Sequence, residues 1–361
     1  MVGIGKPSLS VLICTRNRAQ KAQRAAASVL ANSFTNFELI VVDQSTDNAT
    51  RDAIAAVADD RVRYIPTNTV GVAISRNIAV REAVADIVVF TDDDCVCDRD
   101  WLHAIVAEFA ADPRALGVYG RVVPYGRTGS LTWDCISEDG DMICPALIQS
   151  TTRVVVDRPA VPHLVLGGGN NMSFRKEAFR RVGLFNEMLG PGSRIGTGED
   201  TEFSFRLLFN RCRLIYSPRP VVEHDNWMER PLFVHHMKVA MRVQAAVFTA
   251  YALRFDFLSV THMMRTAWYL AGNRLGIGST AVGLFHFATG LPWGVKLRLT
   301  PAPRFEPAAE LTSSPREAWG GSNSSSVDNA QASDEEEVLR IGAQHIDGQL
   351  TRVVVQMDLA A

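Results

Sequence analysis

The sequence contains no C-x-x-C pair. Its six cysteines stand at 14, 95, 97, 135, 144 and 212, without ligand-like spacing. Neither a zinc ribbon nor a thioredoxin-type centre is indicated, and sparse thiols fit a reducing, cytoplasmic setting. The first strand-like run is not followed by G-x-G-x-x-G, which argues against a dinucleotide-binding turn. Residues 1–7 hold no long apolar run before the first charge, so no secretory leader is expected. No internal repeat is visible. Excess charge is lacking too: 37 basic residues face 39 acidic ones, a formal net of −2. A general nucleic-acid binder is clearly basic, so nucleic acid is not an expected partner.

The neutral total hides a segregation. Residues 301–361 hold four arginines and ten acidic residues, a net of −6, which leaves residues 1–300 at +4. Within 229–300, eight basic residues accompany two acidic ones. A chain of 361 residues that is 47% apolar suits a folded domain with additions.

Short apolar runs alternate with helix-like runs over the first hundred residues. Leu9–Ile13, Phe37–Val42, Val62–Ile65 and Ile87–Phe90 read as strands. Ala19–Leu30, Ala53–Ala58 and Val72–Val84 read as helices. Four short branched strands between helices imply an α/β fold, a mostly parallel sheet covered by helices. Further on, Gly117–Val123 and Leu164–Arg175 read as strands and Glu199–Phe209 as a helix. Leu214–Tyr216 and Val221–Val222 read as edge strands. In such sheets the ligand binds beyond the carboxyl ends of the strands, so the residues just after each strand carry the information.

The first strand runs into Thr15-Arg16-Asn17-Arg18, a hydroxyl, an amide and two guanidinium groups that suit a phosphate or a base edge. An ordinary basic loop has the same composition. The second ends at Asp43-Gln44-Ser45-Thr46-Asp47. Asp43 is placed to accept from a base or ribose, while Asp47 is read as a cap on the following helix. The fourth ends at Asp92-Asp93-Asp94, three carboxylates directly after a buried strand. Crowded carboxylates need a cation, and hard oxygen ligands there suit Mg²⁺ or Mn²⁺ carrying a diphosphate. Cys95 and Cys97 are read as small buried thiols.

A second acidic pair, Glu199-Asp200, comes after a glycine-rich loop and opens a helix. Helix-dipole pairing alone accounts for two acids there; a general base at a pocket edge is the functional reading. Gly167-Gly168-Gly169-Asn170 serves either a tight turn or close approach of a ligand. His224 is either structural or the completion of an oxygen-rich metal shell.

Together these elements resemble the family 2 glycosyltransferases, inverting enzymes with the GT-A fold. The resemblance covers residues 7–228 and rests on Thr15-Arg16-Asn17-Arg18, Asp43, Gly71 to Asn77, the D-x-D-like Asp92-Asp93-Asp94, Gly169-Asn170 with Phe174-Arg175, and Gly198-Glu199-Asp200. It implies a donor site built from Thr15, Arg16, Asn17, Asp43, Ser45, Arg76, Asp92 and Asp93, with Arg76 near the diphosphate. It implies Mn²⁺ or Mg²⁺ held by Asp94 with Asp92 and His224. Asp200 becomes the catalytic base and Glu199 its neighbour at the acceptor site. The implied partners are a nucleotide-sugar donor and a glycan or lipid-linked acceptor. Competing readings are a sugar nucleotidyltransferase, which wants glycines in the 14–18 loop, and an inactive nucleotide- or glycan-binding module.

The expected organisation is a catalytic domain over 1–228, a basic helical extension over 229–300 and an acidic, largely disordered tail over 301–361. Leu275–Val295 is a 21-residue uncharged run. It is long enough to span a bilayer, but its glycines and Pro292 favour helices lying on an anionic membrane surface, or packed on the catalytic domain. The protein is therefore expected at the inner face of the cell membrane.

Overall fold

The computed structural model of the protein describes residues 6–126, 142–143, 151–157, 166–254, 259–261, 264 and 280–306. β1 (Leu9–Thr15), β2 (Phe37–Asp43), β3 (Val62–Pro66) and β4 (Ile87–Asp92) alternate with α1 (Ala19–Leu30), α2 (Ala49–Ala55) and α3 (Val72–Glu82). These strands pair in parallel in the order β3-β2-β1-β4. The chain continues through β5 (Cys95–Cys97), α4 (Trp101–Ala111), β6 (Ala115–Pro124), β7 (Met142–Ile143), β8 (Val154–Val156) and β9 (Met172–Arg175). It then forms α5 (Lys176–Val182), α6 (Glu199–Phe209), β10 (Arg213–His224), β11 (Trp227–Met228) and α7 (Arg230–Ala252). β9 lies antiparallel between β4 and β6, β10 runs parallel to β6, and β5 closes the order β3-β2-β1-β4-β9-β6-β10-β5.

Period-two alternation sorts the strand residues between two cores. Leu9, Val11 and Ile13 of β1 and Leu39 and Val41 of β2 face α1 and α4. Leu12, Ile40 and Val42 face α3, α5 and α6 on the other side. α1 buries Ala22, Ala25, Ala26 and Val29, an i, i+3, i+4, i+7 stripe whose small side chains let the helix lie close to the sheet. On the opposite face five phenylalanines interlock. Phe90 lies 5.5 Å from Phe185, Phe185 4.7 Å from Phe203, and Phe174 5.0 Å from Phe203. Phe179 stacks on Phe203 at 4.9 Å. A third core joins Leu189, Ile195 and Phe205 to Val243, Ala246, Val247 and Phe248 of α7.

The expected parallel half is present, and several details differ. α2 sits earlier than 53–58. Within the described part of the run 164–175, only Met172–Arg175 is a strand; 166–171 forms the turn that carries the glycines. The two expected edge strands are one strand, β10, with neighbours on both sides. Pro218 and Pro220 shift its register between Tyr216 and Val221 without ending it. The described part of 275–295 divides at Thr289–Gly290 between two helices, Thr280–Ala288 and Leu291–Leu299. Among the described residues no helix is long and apolar enough to cross a membrane. At the start of the tail, Leu184 N–H donates to Pro303 O at 2.8 Å and Phe305 approaches Phe179. The rest of the tail, from 307, and Cys135 and Cys144 lie outside the described residues.

Candidate active site

Register brings the expected donor-side residues together. Thr15 pairs with Asp43 across β1 and β2, and Cys14 with Asp92 across β1 and β4. All three strand ends therefore open on one shelf. Thr15 Oγ1 donates to Asp93 Oδ2 at 2.8 Å. Arg18 Nη1 donates to Asp93 Oδ1 at 3.0 Å and to Asp94 Oδ2 at 3.1 Å. Asp43 is buried and accepts from Ser45 N–H at 2.8 Å and from the Tyr64 hydroxyl at 2.6 Å. Asn17, at φ +55°, donates its backbone N–H to Ser45 Oγ at 2.7 Å and accepts from Thr46 N–H at 2.9 Å. The two loops bearing the expected donor residues are thus tied to each other. Arg16 is exposed beside them.

His224 reaches Asp94 because β10 lies against β5 with His224 opposite Cys95. Its Nε2 is 3.3 Å from Asp94 Oδ1, and Asp225 N–H donates to Asp94 O at 2.8 Å. Burial lifts the Asp93 carboxyl to about 6. Burial opposes ionisation of Asp94 as well, but the His224 hydrogen bond and charge, with Arg18, carry it below the usual carboxylate range.

The second acidic pair opens α6. Asp200 Oδ2 accepts from Gly169 N–H and Oδ1 from Thr201 N–H, each at 2.7 Å. Both bonds orient the carboxylate. Glu199 is buried, and burial together with Asp200 raises its carboxyl to about 7. Among the described residues its Oε2 has no hydrogen-bond partner, nor have Nδ2 and Oδ1 of the buried Asn170.

Arg76 of α3 joins the two clusters. It is 4% exposed. Its Nη1 donates to Glu199 Oε1 at 2.5 Å and its Nη2 to Asp92 Oδ1 at 3.0 Å. Gly169 lies flat against this guanidinium, and a Cβ there would stand 2.3 Å from Nη2. The glycine loop therefore makes room for Arg76, a role the sequence leaves open between turn and ligand. Sequence reasoning also passes over Arg18 as a carboxylate partner, although it is in the quoted loop, and over Tyr64, which stands in β3 opposite Val41, two residues before Asp43. Lys21 and Arg24, one turn apart on α1, both reach Asp225 beside His224.

Carboxylate and imidazole suit a divalent ion such as Mn²⁺. Asp94, Cys95 and His224 bring ligand atoms within 4.8 Å of one another. Burial holds the Cys95 thiol well above its ordinary range, so it stays protonated and is a poor ligand. Asp94 and His224, backed by the partly exposed Asp92, fit the metal that the sequence implies.

Residues 10–183 match the family model described as Glycosyl transferase family 2. The chain is 26% identical over 295 residues to the pre-mycofactocin glycosyltransferase of Mycobacterium tuberculosis, covering 78% of this chain and 56% of that one. It is 28% identical over 121 residues to the glucosyl-dolichyl phosphate glucuronosyltransferase of Haloferax volcanii, covering 32% and 38%. The chain thus spans about half or less of the length of these relatives. Among solved structures it is similar to a mannosyltransferase from Pyrobaculum calidifontis in complex with GDP-Man and Mn²⁺, with a TM-score of 0.52, 20% identity, and coverage of 82% of this chain and 79% of that one. Residues 10–183 thus match glycosyl transferase family 2, and the chain carries the GT-A fold.

Proposed function

We propose that the protein moves a sugar from a nucleoside-diphosphate sugar to an acceptor hydroxyl with inversion at the anomeric carbon. One observation carries this: Arg76 ties Asp92 on the donor shelf to Glu199, which adjoins Asp200 at the start of α6. That arrangement supports a general base beside a donor site. Asp43, Ser45, Thr15 and the exposed Arg16 and Asn17 hold the nucleotide. Asp94 and His224, with Asp92, hold Mn²⁺, which when bound offsets the charge of the departing diphosphate. Asp200 takes the acceptor proton as the acceptor oxygen bonds to the anomeric carbon. The carbon–oxygen bond to the diphosphate breaks, and the electron pair leaves with the nucleoside diphosphate. General-base assistance of this kind contributes roughly 10²–10⁴-fold.

Supporting the donor class, the Pyrobaculum mannosyltransferase was solved with GDP-Man and Mn²⁺. The relative named for a dolichyl-phosphate acceptor supports a lipid-linked or envelope glycan acceptor. The basic 229–300 region supports peripheral work at an anionic membrane, at its cytoplasmic face. The test is a screen of nucleotide sugars for donor hydrolysis with Mn²⁺, Mg²⁺ or chelator. One donor is expected to be turned over with metal. Asp200→Asn is expected to keep donor affinity and lose at least 100-fold in turnover. Near-normal turnover in that variant removes Asp200 from the base role.

A further inference from the structure

Among the described residues, eight of the ten exposed large apolar side chains lie between 232 and 299. The helices 280–288 and 291–299 hold the densest part. Both pack on α7 through one face. Phe287 and Leu297 are buried, and a Cβ on Gly294 would stand 2.3 Å from Thr249 Cβ. The opposite faces are apolar as well. Phe285 is 64% and Leu299 76% exposed, with Leu284 and Val295 beside them. Pro292, Val295 and Leu299 are spaced i, i+3, i+7. A surface helix of a globular protein turns polar residues outward; here the outer stripe is apolar with cations among it. Lys296 Nζ lies 5.3 Å from the Trp293 ring centroid, and Arg298 is exposed. No acidic residue occurs from 257 to 305.

We propose that the outward face of 280–299, with Leu284, Phe285, Val295 and Leu299 inserted and Lys296 and Arg298 at the rim, lies in the plane of an anionic bilayer. This deepens and rests on the reading of a peripheral enzyme. Each helix has nine residues, about 14 Å at 1.5 Å per residue, too short to span a hydrocarbon core of about 30 Å. Lys, Arg and apolar side chains on one exposed face, beside the half-buried Trp293, are the composition of an interfacial helix. A second copy is the weaker occupant, because the same face of a partner copy would offer Lys296 and Arg298 no acidic residue from 257 to 305 to pair with. The face also stands one helix away from the chemistry. Behind it, Arg242 of α7 donates to Ile195 O at 2.8 Å, and Val243 packs where a Cβ of Gly198 would be, next to Glu199. A bilayer on this face therefore lies on the side of the molecule that carries the loop into the proposed base, as a lipid-linked acceptor requires.

The test is sedimentation of the full chain with vesicles of phosphatidylcholine alone and with 30% phosphatidylglycerol. The variants are F285E/L299E, K296E/R298E and the conservative F285L/L299I. Metal-dependent donor hydrolysis is measured alongside, because no altered residue belongs to the catalytic machinery. Binding to anionic vesicles is expected, weakened at least tenfold by either charge variant and kept by the conservative one, with hydrolysis unchanged. Equal partitioning of F285E/L299E and the parent overturns the proposal. So does a parent dimer that this variant converts to monomer without vesicles, which would assign the face to a second copy. Absence of donor hydrolysis in the parent would instead strike the catalytic reading and leave the vesicle result to stand alone.

Discussion

Replacing Arg76 with methionine keeps apolar bulk against Phe90 and Phe185 and removes one charge shared by two carboxylates. Leaving a buried carboxylate without its partner costs about 3–5 kcal/mol. Glu199 has an escape, because its carboxyl already stands at about 7 and loss of Arg76 raises it further. Each unit of displacement is worth about 1.4 kcal/mol. At pH 6 Glu199 is mostly protonated in the native protein, so Arg76 there faces a neutral acid and its loss costs the lesser amount, about 2 kcal/mol. At pH 8 Glu199 is ionised, and the variant either keeps a bare buried charge or takes a proton against the solution. The penalty therefore grows towards about 4 kcal/mol. In the parent the sign is the same in kind. The raised Glu199 pKa adds stability that is complete below about 4.5 and is lost as pH rises through about 7. Urea denaturation of parent and variant at pH 6 and pH 8 measures the difference, and Glu199→Gln in the Arg76→Met background should erase its pH dependence. An identical penalty at both pH values would refute the assignment of Arg76 as the partner of Glu199.

Asp94→Ala should abolish Mn²⁺-dependent binding of the nucleoside diphosphate in calorimetry, and undiminished binding would remove Asp94 from the metal set. Gly169→Ala places a methyl against the Arg76 guanidinium and strains the Gly169–Asp200 hydrogen bond; turnover should fall tenfold or more while donor affinity changes little. Tyr64→Phe leaves buried Asp43 short of one donor at a cost of about 1–3 kcal/mol, read as weaker nucleotide affinity with turnover at saturation unchanged.

Strand ends were the legible part of this molecule. Branched apolar runs of four to six residues have one use in a chain of alternating helices, and the polar residues after them must then meet at one sheet edge. That logic brings Thr15, Asp43 and Asp92 to a common shelf, where register joins them. It also puts Glu199 and Asp200 at the first turn of α6. What it does not reach are pairings made across long separations. The resemblance puts Arg76 near the diphosphate. Its two carboxylate partners, 16 and 123 residues away, leave no local signal in the sequence. β10 looks like two edge strands because prolines interrupt its pattern, yet a register shift absorbs them. α4 escapes notice because Trp101, Leu102, Ile105 and Phe109 leave little polar face to reveal a period.

The interlocked phenylalanines fix a dimension. Phe90 immediately precedes Thr91 and Asp92, and Phe203 lies less than one helical turn beyond Asp200. Ring contacts through Phe185 therefore tie the floor of the donor shelf to the first turn of α6. Close-packed aromatic rings yield little to compression or stretch. The gap between Asp92 and Asp200 is in that sense a machined clearance, set before any ligand arrives. Whatever must swing aside to admit a bulky acceptor is then sought in the glycine-rich stretch 190–198, which hangs from this block and does not form part of it.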